Sequence, residues 1–276
     1  MLRDGRASRG AGPVERTTRH ETAQGVLVVA GSRVALVTGG TRGIGRAVTE
    51  RLADSGVDVA AAYATDCVAA ESVRQRCEKA GARVTLHRVD VGDPNSCRRL
   101  VDEVVDQHGQ LDYLVNNAGA VTEQRYGDIT IDSWQQHLAV NLSAAFFLSQ
   151  AAMGAMIERR FGRIVNIGSV SATMGSSVQI PYAAAKSGLI GLTRSTARAV
   201  ARKGITVNCV IPGSFDTDLS EGLALTARDV VTSMIPVGRW GRPEELAHAV
   251  TFLLDDLASY ITGTVLTVDG GMSMGG

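Results

Sequence analysis

What most limits the folds open to this chain is an alternation. Seven short runs rich in β-branched and small apolar residues, at 34–39, 57–63, 83–90, 111–119, 162–169, 204–213 and 264–271, are separated mostly by stretches of helix length. In the spacers apolar residues recur at three- and four-residue intervals, as with Ala47, Val48, Leu52 and Ala53, the period of a helix with one buried face. A hairpin needs only a few linking residues, whereas parallel neighbours need a crossover of a dozen or more. The rhythm therefore predicts an α/β fold, a doubly wound parallel sheet of seven strands with helices on both faces. No shift in composition divides residues 32–276, which are expected to form that single domain.

Composition removes several alternatives. Lys and Arg together number 28, equal to Asp and Glu at 28, so the net charge is zero and nothing suggests a nucleic-acid partner held by charge. The longest apolar runs fall short of the roughly 20 residues that cross a bilayer, so no membrane span is expected. Cys67, Cys77, Cys97 and Cys209 contain no C-x-x-C pair and do not cluster with the five histidines. Neither a metal site nor a disulfide framework is indicated, which suits a reducing, cytoplasmic setting. Residues 1–31 are dominated by Arg, Gly, Ser and Thr and read as a flexible extension. Asp4, Glu15 and Glu21 speak against an organellar transit peptide, which should be poor in acids.

In doubly wound sheets ligands bind beyond the carboxyl ends of the strands, and the motifs follow strands here. The first run is followed by T-G-G-T-R-G-I-G, ending at Gly45, which opens a helix. Glycines at Gly39, Gly43 and Gly45 allow a tight turn and let a pyrophosphate approach backbone N–H groups at the positive end of that helix. Together with Thr41, Arg42 and Ile44 this turn is the candidate phosphate cradle of a Rossmann-type nucleotide fold. An acidic residue ending the second strand would bond the ribose 2′-OH of NAD and repel the 2′-phosphate of NADP. That strand ends A-A-Y-A-T with no carboxylate before Asp66, and Arg42 is available to a phosphate, so NADPH is favoured. The competing reading keeps NADH, with Asp66 in the NAD role and Arg42 solvated.

The chain holds only three lysines, Lys79, Lys186 and Lys203. Lys186 lies four residues after Tyr182, on one face of a helix that Pro181 starts and Gly204 ends. Ser169 ends a strand thirteen residues before Tyr182, and Asn141 sits in A-V-N-L. A phenol with a reference pKa of about 10 is a poor acid or base near neutrality, and a fixed ammonium beside it favours the phenolate. Lysine is also a compact charge with rotatable donors, which arginine's planar fork is not.

These motifs, with V-D-V at Asp90, N-N-A-G ending at Gly119, I-P-G at Pro212 and Gly213, and V-D-G-G ending at Gly271, stand in an order that resembles the short-chain dehydrogenase/reductase superfamily. The resemblance runs from about residue 33 to 272 and is nearest to the 3-oxoacyl-(acyl-carrier-protein) reductases. It implies that Tyr182 protonates the carbonyl oxygen while Ser169 bonds the same atom. Lys186 would lower the tyrosine pKa and hold the nicotinamide ribose, and Asn141 would support a water-linked proton path. Asp90 and Val91 would meet the adenine, Asn117, Ala118 and Gly119 would line the adenosine side, and Pro212, Gly213 and Thr217 would lie at the nicotinamide. Asp90 as a turn residue, Asn141 as a backbone tie and Ser171 in place of Ser169 are the competing local readings. Asp269 is read as structural.

The same resemblance implies NADPH-dependent reduction of a 3-oxoacyl thioester in fatty-acid or polyketide synthesis, by a homotetramer whose main interface is formed by the helices near Trp134 and Tyr182. Residues 214–236 would form a substrate lid with an apolar wall of Gly222, Leu223, Leu225 and Met234. An acidic carrier protein would need basic residues at the mouth, for which Arg159, Arg160, Arg202 and Lys203 are candidates. Another carbonyl or alcohol substrate, or a cofactor-binding protein without catalysis, are the alternatives.

Overall fold

The protein is described by a computed structural model over residues 33–217 and 225–274. The expectations for residues 1–31, and those for Gly222, Leu223 and the Leu225 side chain, lie outside what is described. Seven strands form one sheet: β1 (Val34–Thr38), β2 (Asp58–Tyr63), β3 (Val84–Arg88), β4 (Tyr113–Asn116), β5 (Gly162–Ile167), β6 (Ile205–Pro212) and β7 (Val265–Val268). Their spatial order is β3-β2-β1-β4-β5-β6-β7 and every pairing is parallel. The chain reverses direction across the sheet between β1 and β4, which opens the crevice where a nucleotide fits.

Strand alternation divides the core. Ala35 and Val37 of β1 face one layer with Val59 and Ala61, and Leu36 faces the other with Ala60 and Ala62. The first layer is covered by α1 (Gly43–Asp54), α2 (Cys67–Lys79) and α9 (Pro243–Leu254), the second by α3 (Pro94–His108), α5 (Ala144–Arg159) and α7 (Ile180–Val200). Shorter helices α4 (Ile131–Leu138), α6 (Ser171–Met174) and α8 (Leu225–Ser233) lie at the strand ends. Both faces of the sheet are thus apolar, as a parallel sheet requires.

Local chemistry sets the helix ends. Asp93 caps α3 by accepting from the Asn95 and Ser96 amides, Pro94 follows it, and Gly109 closes the helix at φ 77°. Helix α7 carries Pro181 in its first turn and runs through a short 3₁₀ segment to Gly204 at φ 80°.

One helical run, Ile131–Arg159, has 29 residues and a window of mean hydropathy 1.4, long and apolar enough by composition to cross a bilayer. The expectation from apolar runs alone overlooked it, because small and polar residues interrupt those runs. Within the fold its Ala144, Leu148, Ala152 and Met156 are buried against the sheet layer.

Candidate active site

The site is assembled at the carboxyl edge of β1, β4, β5 and β6. After β1 the chain turns through Gly39 at φ 61° and Gly43 at φ 48°, conformations that favour glycine. A Cβ at Gly45 would strike the Gly39 carbonyl oxygen, so α1 packs directly on the turn that precedes it. Arg42 is the N-cap of α1 and makes no side-chain capping bond, and no acidic residue occupies the first turn. The N–H groups at that end are therefore not taken by a side chain of the cap, and they fit the pyrophosphate of a dinucleotide.

The segment after β4 holds this turn from beneath. Asn117 donates Nδ2 to the Thr38 and Gly39 carbonyls at 2.9 and 3.2 Å, and the Asn117 and Ala118 amides both reach Thr38 Oγ1 at 3.0 Å. The side chain of Asn117 is thus a clamp on the glycine turn. Thr38, which sequence reasoning passed over, is the hinge of that clamp; a hydroxyl ending a strand just before a glycine turn was the available signal. Across the crevice, the Thr217 methyl approaches Gly43 closely, 3.3 Å from where a Cβ would stand and inside ordinary van der Waals contact. Gly213 packs on Asp269, where a Cβ would come within 2.7 Å of the aspartate Cα. The Asp269 carboxylate itself accepts from the Gly271 and Ser273 amides, in keeping with its structural reading.

Asp90 accepts from the Gly92 amide at 2.8 Å and is otherwise exposed beside buried Val91, whose carbonyl accepts from Cys97 Sγ at 3.2 Å. The carboxylate therefore shapes its turn while remaining accessible at the end of β3. Asp66 is engaged elsewhere: it caps α2, accepting from the Ala69 amide at 2.9 Å.

The Gly168 and Val170 amides bond the Val210 and Pro212 carbonyls at 2.8 and 3.0 Å, extending the β5–β6 ladder around Ser169 and fixing its direction. The Ser169 hydroxyl stands near enough to the Tyr182 phenol to influence its titration, and it accepts from the Ser171 amide at 3.2 Å. Ser171 turns its hydroxyl to Gln179 Oε1 at 3.3 Å and meets Ser169 only through its backbone amide. Four residues along α7, Lys186 is buried, and its Nζ donates to the Ile167 carbonyl at 2.8 Å and lies 5.7 Å from the Tyr182 ring centre.

Burial sets both titrations. It pushes the Tyr182 phenol up, opposed by the Ser169 hydrogen bond, and brings the Lys186 ammonium down to about 8. In the protein alone, loss of water around the phenol is the largest influence on Tyr182, and the Lys186 ammonium is bonded to the Ile167 carbonyl.

Asn141 sits in a π-helical turn, Ala139–Ser143, between α4 and α5. Its Nδ2 donates to the Ala120 and His137 carbonyls at 2.8 and 3.0 Å and its Oδ1 accepts from the Ala120 amide at 3.1 Å. The side chain ties backbone together, while the π turn slips the helical ladder by one residue and so frees main-chain capacity at this point. Asn141 Oδ1 and Lys186 Nζ flank Gly119, at 3.0 and 3.6 Å from where its Cβ would stand. A cavity of about 10 Å³, room for one water, is bordered by Lys186, Asn141, Thr38 and Asn116. Asn116 Oδ1 is buried there without a protein partner among the described residues.

The basic residues expected at the mouth lie at the other end of the sheet. Arg159 ends α5, 3.7 Å from Asp112 at the entry to β4, and the Arg160 carbonyl abuts Gly204 at the entry to β6. In a parallel sheet each helix runs back against its strands, so residues at helix C-termini, Arg202 and Lys203 included, reach the amino edge of the sheet.

Comparison with known proteins agrees with this geometry. Residues 39–273 match the sequence profile of the family described as enoyl-(acyl carrier protein) reductase. The chain is 43% identical over 242 residues to the 3-oxoacyl-[acyl-carrier-protein] reductase FabG of Salmonella typhimurium, covering 88% of this chain and 98% of that one. The same enzyme of Staphylococcus aureus is 38% identical over 243 residues, with 88% and 99% covered. Among solved structures, a double mutant of a Serratia marcescens short-chain dehydrogenase/reductase superposes with a TM-score of 0.83 at 38% identity, covering 87% and 98% of the two chains.

Proposed function

The chain belongs to the short-chain dehydrogenase/reductase family and is an NAD(P)-dependent oxidoreductase of the carbonyl/alcohol couple, and from that premise we propose that it reduces a carrier-bound 3-oxoacyl thioester to the 3-hydroxyacyl thioester with NADPH. The observation that carries the reading is that Ser169 and Tyr182 bring their hydroxyls near each other at the carboxyl edge of the sheet, beside a Lys186 anchored on the Ile167 carbonyl. Two hydroxyls aimed at one point suit a carbonyl oxygen that gains negative charge.

When bound, the reduced nicotinamide supplies a hydride to the ketone carbon. Tyr182 gives its phenolic proton to the ketone oxygen, and Ser169 donates a hydrogen bond to the same oxygen; the thioester bond is untouched. Burial holds the phenol protonated, ready as an acid in the reductive direction. Lys186 would bond the ribose hydroxyls and relay a proton, with Asn141 and the small cavity as the route by which water returns it; its anchor on the Ile167 carbonyl supports this role. Gly39, Thr41, Arg42, Gly43, Ile44 and Gly45 take the phosphates. Asp90, Val91, Asn117, Ala118 and Gly119 border the adenosine side, and Pro212, Gly213 and Thr217 the nicotinamide. The Asp66 cap supports NADPH over NADH, since a carboxylate bonded to the Ala69 amide is less able to take a ribose hydroxyl.

A cytoplasmic homotetramer is part of the reading. All four cysteines are free, and Trp134 and Phe146 are exposed on α4 and α5. A twofold axis across these helices would set partner helices antiparallel, carrying Arg159, Arg160, Arg202 and Lys203 toward the partner's mouth, where an acidic carrier would dock.

The test is the initial rate of acetoacetyl-CoA reduction with NADPH and NADH, with crotonyl-CoA as the enoyl probe and Tyr182→Phe as control. Tyrosine-dependent reduction of the ketone, with the enoyl thioester untouched, is expected. Turnover of crotonyl-CoA alone would replace this reading with the enoyl chemistry for which the matching family is described.

A further inference from the structure

The end of β2 is where a dinucleotide's adenosine ribose is read, and two arginines approach it from opposite sides. On one side the Gly40 amide donates to the Ala62 carbonyl at 3.0 Å, tying the glycine turn to this strand end two residues before Arg42. On the other, β3 ends in register with β2, Arg88 opposite Tyr63, and the Val89 amide continues the ladder to the Tyr63 carbonyl at 2.8 Å. Arg88 then folds across the strand end, its Nε donating to the Ala64 carbonyl at 3.2 Å. That bond holds the guanidinium through Nε, on a residue that is exposed.

Several arginines nearby are neutralised and these two are not. Arg46 pairs with Glu50, Arg74 with Glu71 and Glu78, Arg76 with Asp54, and Arg99 with Asp93. Arg42 and Arg88 are exposed and have no ion-pair partner among the described residues. The two carboxylates closest in sequence make backbone bonds and no ion pair with either arginine: Asp66 accepts from the Ala69 amide of the helix it caps, and Asp90 from the Gly92 amide. We propose that Arg88 is a further specificity-determining residue, a second cation that grips the 2′-phosphate of the adenosine ribose opposite Arg42. The inference rests on the NADPH reading above. A phosphate dianion between two guanidinium groups receives charge-assisted hydrogen bonds from both, whereas a ribose hydroxyl in NADH offers them no charge to bind.

The experiment measures dissociation constants by calorimetry for NADPH, NADH and the fragment 2′,5′-ADP, on the wild type, Arg88→Gln and Arg42→Gln. Glutamine keeps a donor for the Ala64 carbonyl while removing the charge. Arg88→Gln should weaken NADPH and 2′,5′-ADP roughly tenfold, leave NADH unchanged, and lose its effect as salt rises. An unchanged NADPH-to-NADH ratio, or equal weakening of both, overturns the role of Arg88. If the wild type prefers NADPH and only Arg42→Gln removes the preference, Arg88 alone is overturned. If the wild type binds NADH as tightly as NADPH, the NADPH reading falls and takes Arg88 with it.

Discussion

Replacing Lys186 with methionine should abolish turnover while leaving the fold as stable as before or more so. The ammonium is buried and its pKa falls from 10.5 to about 8, a displacement that corresponds to about 3 kcal/mol against the folded state while the lysine is charged. Methionine, close in length and uncharged, removes that penalty. It also leaves the Ile167 carbonyl without the 2.8 Å bond from Nζ, at about 1–3 kcal/mol. The difference puts Lys186→Met between about 0 and 2 kcal/mol more stable than wild type at pH 7. The same displacement fixes a pH signature. Between pH 8 and 10.5 the unfolded chain binds the lysine proton more tightly than the folded one, so this residue makes stability rise with pH across that window. Cysteines and tyrosines with raised pKa values act in the opposite direction there, so the variant-minus-wild-type difference isolates the lysine. Urea unfolding at steps from pH 7 to 10.5 reads it. The stability advantage of Lys186→Met should shrink toward pH 10.5. Two curves that run parallel, or a variant more than about 2 kcal/mol less stable at pH 7, would refute the argument that burial of the charge dominates at this position.

Ser169→Ala should lower kcat by about 10²–10³ with little change in KM, since the lost donor acts on charge that develops only in the transition state; steady-state kinetics on acetoacetyl-CoA checks this. Gly45→Ala should destabilise by about 1–3 kcal/mol in urea despite alanine's better helix propensity, because its methyl would enter the Gly39 carbonyl. Acid should weaken the β3–α3 pair. His87 and His108 both place Nε2 at 2.9 Å from Thr85 Oγ1, and burial lowers both pKa values, against the attraction of Glu103 for His87 and with Arg83 and Asp58 opposing each other at His108. Stability held above the unfolded value near 6.5 is therefore lost as pH falls below it, and His108→Gln should flatten that part of a pH–Tm profile.

Several features were legible in the chain because they are local. Strand and helix periods follow from side chains two to four residues apart, and Gly39, Gly43, Pro181 and Gly204 mark turns and helix ends by their own backbone preferences. Ser169, Tyr182, Lys186 and Asn141 could be singled out from their spacing, and the fold does bring them to one edge. What the sequence alone left open was how each of them is used. The Ile167 carbonyl that holds Lys186 is a main-chain group with no signature in any side chain. Asn117, read as a cofactor contact, also clamps the glycine turn, a role hidden in the sequence because its partners Thr38 and Gly39 lie 79 and 78 residues away.

The sequence by itself determined the architecture, the glycine turn after the first strand and the candidate reacting groups, since these depend on short-range patterning and on residue chemistry. Only the tertiary structure decided that burial raises the Tyr182 phenol, that Asp66 caps a helix, and that Arg159, Arg160, Arg202 and Lys203 face the far edge of the sheet. Each of those depends on solvent exclusion or on which strand ends meet in space, and neither can be read from the order of residues along the chain.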